Sequence, residues 1–391
     1  MNPRAIPRRP RIIPISLVRT TLARMTLASA VAVRLLCIGA PARAEQVKET
    51  HPLLGASLEI TVDSPDLETG QNRIRDAISV ATVLESELMP GNEGNDVGKL
   101  NASAGLGVRT VPLDLYRLLA LSQVMTRSTG DAFDVTIGPL LRRRQPARPE
   151  TATPGEQHTA ADGSFGQPPA ASGSFSQPPA AGGSFSMDEA LSLVGADKIV
   201  LHPPNRVELP SAGMSVDFSA IVRGYVLERM AVALRAGGTT SALLAFADTT
   251  MLVIGPPAGE PPVRVWVPRG RSMAGSVALR DMSMSTARAH RRSDDPRPPI
   301  VDPRSGRFVE SDRQATVVAR NAAIAEAWST ALVVDPDGAL VLLDEPRDVE
   351  AVVFDEHGEH ASPRFVTYVD WKPARQPGDT HAEPKLTELR R

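Results

Sequence analysis

Glu326 and Thr330 stand four residues apart in Ala322–Val334, a run whose apolar spacing predicts a helix, so both share one face. A carboxylate and a hydroxyl are hard oxygen donors. With a backbone carbonyl and phosphate oxygens they suit Mg2+. Alone, the same pair is an ordinary solvated helix face. A second segment runs Val216-Asp217-Phe218-Ser219-Ala220-Ile221-Val222-Arg223-Gly224-Tyr225. It predicts a strand ending in an acid, then small residues that open a helix. Anions meet helix N-terminal N–H groups in such places, and Arg223, one turn in, adds a fixed charge suited to phosphate. Its plainer reading is an N-capped helix with a surface arginine.

A third segment is Gly130-Asp131-Ala132-Phe133-Asp134-Val135-Thr136-Ile137-Gly138-Pro139-Leu140. It follows a helix end and is bounded by Gly and Pro. Such a loop offers backbone groups to a ligand ring, or simply caps and turns. In a fourth, Pro299-Ile300-Val301-Asp302-Pro303-Arg304-Ser305-Gly306, Asp-Pro-x-x-Gly signals a turn. His290 lies in the basic run Ala287–Arg292, a candidate phosphate contact. The seven histidines form no metal pattern, so a His-rich metal centre is not expected. No Gly-x-Ser-x-Gly, P-loop or Gly-x-Gly-x-x-Gly is present.

The elements that must position these residues follow from periodicity. Leu58–Val62 alternates as a strand. A helix carries Ile74, Ala77, Ile78, Ala81, Leu84 and Leu88 and stops at Pro90, followed by a Gly/Asn-rich loop, Gly91–Gly98. Pro112 opens the next helix, which ends before Gly130. A short helix at Met187–Val194 precedes a hairpin, Lys198–Leu201 and Arg206–Leu209, turning at 202–205. Strand-like Met214–Phe218 runs into a helix from about Ser219 to Gly237-Gly238. Strands are predicted at Ala242–Ala247, Met251–Ile254, Val263–Val267, Ser276–Leu279, Ala315–Ala319 and Ala351–Phe354. Many of them look hairpin-joined. That favours an α+β fold with mixed, largely antiparallel sheets and packed helices over a doubly wound parallel sheet.

The chain has 391 residues and a formal net charge of −2, which argues against a nucleic-acid binder. The near-zero total hides two unlike parts. Residues 1–44 hold eight arginines and no acid, leaving 35 basic against 45 acidic residues, or −10, in the rest. An Arg-rich start, an apolar Met25–Ala40 and the small-x-small Ala42-Arg43-Ala44 predict an export signal cleaved before Glu45. The single cysteine, Cys37, lies within it, so no disulfide framework or thiol nucleophile is expected in the mature part. Residues 143–186 repeat Gly-Ser-Phe and Gln-Pro-Pro-Ala-Ala with a ten-residue period and read as a disordered insertion. Residues 372–391 read as a loose tail. That leaves 45–371 as one large domain.

Six segments in this order resemble the ApbE family of FAD:protein FMN transferases. Leu54-Gly55-Ala56 stands where that family has Met-Gly-Thr, and Lys99-Leu100-Asn101 resembles its Ser-Arg-Leu-Asn. Gly130–Leu140 is close to Gly-Ala-Phe-Asp-Pro-Thr-Val-Gly-Pro-Leu. Val216–Tyr225 is similar to Leu-Asp-Leu-Gly-Gly-Ile-Ala-Lys-Gly-Tyr, Ile300–Gly306 to Ile-Ile-Asp-Pro-x-Thr-Gly, and Ala325–Val334 to Ala-Asp-Ala-x-Ala-Thr-Ala-Leu-Phe-Val. The resemblance implies an α+β fold, FAD as substrate, and Mg2+. It also implies transfer of FMN to a Thr or Ser hydroxyl of an acceptor flavoprotein with release of AMP, on the periplasmic side of the inner membrane. Some members instead hydrolyse FAD to FMN and AMP.

By resemblance, Leu54, Ala132, Phe133, Asp134, Asp217, Arg223 and Ile300 would contact the flavin nucleotide. The Ala220 carbonyl, Glu326 and Thr330 would hold Mg2+. Arg223 would serve catalysis in place of the family Lys. Where the family has a His before Ile-Ile-Asp-Pro this chain has Pro299, so His290 is the substitute proton carrier. Glu326 replaces an Asp, Ala323 an acid and Gly91 a Tyr. Phe246-Ala247-Asp248 replaces Gly-Gly-Asp, and Ser285-Thr286-Ala287-Arg288 replaces Thr-Ser-Gly-Asp. These departures also fit a flavin-binding homologue with impaired catalysis.

Overall fold

The computed structural model describes residues 45–89, 91–143, 186–247, 249–256, 259–270, 272–290, 299–343 and 348–374. The segment expected to be an export signal, with Cys37, the repeats at 144–185, Arg291-Arg292, Asp248 and 375–391 lie outside them. In chain order the elements are β1 (Glu45–Leu53), β2 (Ala56–Ser64), α1 (Leu67–Leu88), α2 (Asp96–Ala102), β3 (Arg109–Thr110), α3 (Leu113–Ser128), α4 (Gly138–Arg143) and α5 (Met187–Ser192). Next come β4 (Val200–His202), β5 (Arg206–Glu208), α6 (Val222–Ala236), β6 (Ala242–Phe246), β7 (Thr250–Ile254), β8 (Val263–Arg269), β9 (Ser272–Leu279) and β10 (Met282–Arg288). The last are β11 (Gln314–Ala319), α7 (Ala322–Val334), α8 (Pro336–Leu342), β12 (Val349–Asp355), β13 (Gly358–Ala361), α9 (Phe365–Tyr368) and β14 (Lys372–Pro373). No helix among the described residues is long and apolar enough to cross a membrane.

An eight-stranded sheet ordered β1-β2-β6-β7-β10-β11-β12-β13 is the backbone of the fold. All its described pairings are antiparallel, so the expected mixed sheet is antiparallel throughout. Its inner strands are buried on both faces. On β11, Ala315, Val317 and Ala319 join the main core under the helices, while Val318 joins a second core. The three-stranded sheet β14-β9-β8 supplies the other side of that second core through Val265, Val267, Val277 and Leu279. The result is three layers: helices, large sheet, small sheet. A further small sheet, β3-β5-β4, edges the helical side.

α1 shows why an amphipathic run becomes a packed helix. Asp66 caps it by accepting from the Thr69 N–H at 2.8 Å, and Ile74, Ala77, Ala81, Leu84 and Leu88 form its buried stripe. α7 is apolar nearly all round because it is covered on several sides, whereas α6 buries eight of its fifteen residues and keeps a charged face. α6 packs on α1 and α7, and α7 lies between α6 and strands β10 and β11. Their meeting point requires a glycine. A Cβ on Gly224 would lie 2.3 Å from the Ala322 carbonyl oxygen.

Several boundaries differ from the sequence expectation. Met214–Phe218 belongs to no sheet, because side-chain and loop partners replace a neighbouring strand. The following helix starts at Val222, after a turn over Ser219–Ile221. Asn95 caps α2 by accepting from the Gly98 N–H, so the loop from Gly91 ends there rather than at Gly98. Pro112 is the cap of α3 and lies outside its first turn. Ala287 and Arg288 extend β10 instead of forming a basic loop. Lys372 and Pro373 pair with Ser276 and Gly275, two residues into the segment expected to be a tail.

Candidate functional site

Asn101, on α2, organises the segment that carries Asp217. Its Nδ2 donates to the Val216 carbonyl at 3.0 Å, and its Oδ1 accepts from the Val216 N–H at 2.8 Å. One carboxamide thus does for Val216 what a neighbouring strand would do. The next N–H, of Asp217, donates to the Val135 carbonyl at 2.7 Å. From the other side Arg142 donates to Ser215 Oγ and the Gly213 carbonyl, both at 2.7 Å. A Cβ on Gly138 would fall 2.1 Å from Ser215 Oγ, so the Gly-Pro that starts α4 is set by close approach. Three segments distant in sequence are joined here.

Within the loop after α3, Asp134 acts as a staple. Its Oδ1 accepts from the Thr136 N–H (2.6 Å) and hydroxyl (2.5 Å), and its Oδ2 accepts from the Ala196 N–H (2.7 Å). Burial pushes its carboxyl above the usual range, against the pull of those donors. With both oxygens engaged, Asp134 holds the loop in place rather than reaching outward. Ala132 and Phe133 are buried in the main core. Leu54 is also buried. It occupies a left-handed backbone conformation (φ 49°) in the β1–β2 turn, and its N–H donates to Glu85 Oε1 at 2.5 Å. Asp217 is half-buried, and its Oδ1 accepts from the Ser219 N–H at 2.8 Å. Ser219 and Ala220 then lead into α6.

Glu326 is strongly perturbed. It is almost wholly buried, and its Oε2 accepts from the Gly224 N–H at 2.6 Å. Burial raises its carboxyl to about 7, although that N–H and the Arg223 charge both favour ionisation. The other oxygen accepts no hydrogen bond among the described residues. Arg223 lies over the Phe246 ring at 6.0 Å, and Thr330 is half-buried one turn beyond Glu326 on α7. Behind them, Ser329 Oγ donates to the Glu326 carbonyl and lies 3.3 Å from Ser285 Oγ, which is 3.1 Å from Thr250 Oγ1. Glu326, Arg223 and the approach to α6 from Ala220 are therefore brought together at one helix N-terminus.

His290 is half-buried just past the end of β10. In the turn after Pro299, Asp302 accepts from the Arg304 N–H and guanidinium and from the Ser305 hydroxyl, and Arg304 pairs with Asp335 at 2.8 Å. The half-buried Ile300 accepts from the Val309 N–H. This turn packs through Val301 on Leu140 and Ala190.

The sequence pattern pointed to the segments but missed the residues that lock them. Asn101, Arg142, Gly224 and Glu228 were visible only as a motif member, a surface charge, a spacer and a helix residue. The sequence offered no signal for Gly224, because the apolar cap Ile221, which leaves the first N–H groups of α6 in need of acceptors from elsewhere, appears only in the structure.

Among the described residues no three His, Cys, Asp or Glu side chains group to hold a metal. The candidate donor set rests on one carboxylate, one hydroxyl and one carbonyl. It fits a hard divalent cation, since Glu326 is a buried carboxylate with one oxygen left for a ligand.

Comparison with known proteins gives this geometry a context. No curated protein matches the chain. Solved structures do. The Pseudomonas stutzeri flavinyl transferase ApbE, in its apo form, aligns at TM-score 0.64 and 20% identity, over 84% of this chain and 98% of its own. The Vibrio cholerae flavin transferase ApbE aligns at 0.65 and 17%, over 83% and 100%. The Thermotoga maritima ApbE protein aligns at 0.65 and 20%, over 83% and 99%. At these identities the likeness establishes the fold. The ApbE family model matches residues 54–353, a span that takes in the Leu54 turn, the Asn101 clamp, the Asp134 staple and the Gly224–Glu326 contact. The chain belongs to the ApbE family.

Proposed function

We propose that this protein is a Mg2+-dependent FAD:protein FMN transferase. It moves FMN from FAD to a Thr or Ser hydroxyl of an acceptor flavoprotein and releases AMP. The observation that carries the reading is the convergence of Arg223, the Glu326 carboxylate and the α6 N-terminus. Together they form a compact place for a pyrophosphate. Family membership and the names of the Pseudomonas stutzeri and Vibrio cholerae relatives support it.

The Ala220 carbonyl, Glu326 and Thr330 would hold the metal. Bound there, Mg2+ neutralises charge on pyrophosphate oxygens and eases departure of AMP. Arg223 steadies the same oxygens with a guanidinium that cannot lose its proton. Asp217 anchors the nucleotide beside the α6 N-terminus. The loop held by Asp134, together with Leu54 and Ile300, shapes the flavin side. The acceptor hydroxyl attacks the FMN phosphorus, forming a new P–O bond as the bond to AMP breaks. Pro299 cannot take the hydroxyl proton, and His290 is assigned that step. Residues 1–44 would direct the protein to the periplasmic side of the inner membrane, where its acceptor would lie.

A second reading is favoured by Pro299 and by the engagement of one Glu326 oxygen with Gly224: a flavin-binding homologue without transfer. Incubation with FAD, Mg2+ and an acceptor domain, followed by chromatography, separates the possibilities. Transfer gives an FMN–protein adduct and AMP only with acceptor. Free FMN and AMP without acceptor would mark a pyrophosphatase. Bound FAD with no AMP would mark the non-catalytic homologue.

A further inference from the structure

Two carboxylates cross between α6 and α7 in opposite directions. Glu326 of α7 accepts from the Gly224 N–H, in the first turn of α6, at 2.6 Å. Glu228 of α6 accepts from the N–H of Ala322, the first residue of α7, at 2.6 Å. In each helix the donor and the carboxylate are four residues apart, Gly224 with Glu228 and Ala322 with Glu326. The two bonds therefore close a reciprocal clasp, one turn deep on both sides.

Each helix needs the other's acceptor. The apolar Ile221 gives α6 no side-chain cap. Asn321 caps α7 through the Ile324 N–H, which leaves the Ala322 N–H for Glu228. Between the two bonds, Gly224 meets the Ala322 backbone so closely that no Cβ fits. A shift of one helix would break both bonds. Glu326 also carries an oxygen with no partner among the described residues, so its exact placement matters for what binds there.

We propose that Glu228 is a positioning residue for Glu326: by capping α7 it fixes where Glu326 presents its second oxygen to a divalent cation. The proposal rests on the flavin-transfer reading only for the identity of the ligand, and the clasp itself is independent of it. The role needs an acceptor, not a charge, so a glutamine can fill it.

Native-state hydrogen exchange on the full chain tests the clasp directly. In E228L the Gly224 amide, whose own partner Glu326 is untouched, should exchange at least about tenfold faster, while amides of β11 stay protected. E228Q should restore Gly224 protection. In E326Q, which keeps an acceptor, Ala322 should remain protected, and in E326L it should exchange faster. Mn2+ binding followed by electron paramagnetic resonance should weaken about tenfold in E228L and recover in E228Q. Unchanged Gly224 exchange in E228L would overturn the proposal, as would loss of Mn2+ affinity equal in E228L and E228Q. If E228L does not fold, unaltered Ala322 exchange in E326L overturns it equally. Absence of FMN transfer in the wild-type chain, with the exchange coupling intact, would count against the flavin-transfer reading and leave the clasp standing.

Discussion

Replacing Glu326 with glutamine should make the metal-free protein more stable at neutral and alkaline pH, although it removes a group assigned to the site. Glutamine keeps an oxygen to accept from Gly224 but has no charge to bury. The size of the effect follows from the carboxyl's displacement from 4.5 to about 7. At roughly 1.4 kcal/mol per pH unit this amounts to about 3 kcal/mol. Below pH 4.5 the carboxyl is protonated in both folded and unfolded chains, and wild type carries no penalty. As pH rises from about 4.5 to about 7 the unfolded chain ionises first, and wild type loses stability relative to the variant. Above about 7 both states are ionised and the gap stays constant. Urea unfolding of both proteins in EDTA, from pH 4 to 9, measures that gap. A difference independent of pH, or one that narrows as pH rises, would refute the assignment of Glu326 as a buried group held mostly neutral. Added Mg2+ should shrink the gap at pH 8, because a cation beside the carboxylate replaces the lost hydration.

Three further outcomes are expected. Gly224→Ala should destabilise the fold by about 1–3 kcal/mol in urea, since the added methyl meets backbone at Ala322 and no side chain can yield. Asn101→Ala should cost about 2 kcal/mol for two lost hydrogen bonds at about 1 kcal/mol each. Asn101→Asp should recover as pH falls, because only the protonated carboxyl can donate to the Val216 carbonyl. Arg223→Gln should slow AMP release from FAD by about 100-fold, with Arg223→Lys retaining more of the rate, as read by chromatography of the nucleotide products.

Much of the fold was legible because burial follows simple periods. The alternation in β2 and the helical stripe of α1 appear in the sequence as they appear in the structure. β1 was missed because it is an edge strand whose buried positions are only Val47 and Leu53, set among exposed charged and polar residues. β10 was missed for another reason. Its Ser283 and Ser285 face the helical layer, where the Ser285 hydroxyl meets Ser329 and Thr250, so an inner strand looks like a polar loop. Met214–Phe218 has strand-like residues, but its partner is a side-chain amide. No periodicity encodes that. The six family-like segments pointed to the ApbE family, whose model matches residues 54–353. They could not reveal that Asp134 is spent on Thr136 and Ala196, or that Glu326 is buried.

The charge of residues 45–391 makes the local arrangement at α6 decisive for the proposed function. Residues 45–391 carry a net −10, so bulk electrostatics does not draw in an anionic dinucleotide. Affinity has to arise where acids are neutral or committed and donors are free. Glu326 leans toward the first condition, because burial raises its carboxyl to about 7. Asp134 meets it through its three donors. Arg223 supplies a permanent positive charge near Glu326, with its guanidinium over the Phe246 ring. The chain has glutamate at 326 where related motifs carry aspartate. The longer side chain reaches across to the Gly224 N–H, and that reach ties the carboxylate to the helix whose N-terminus would face the phosphates.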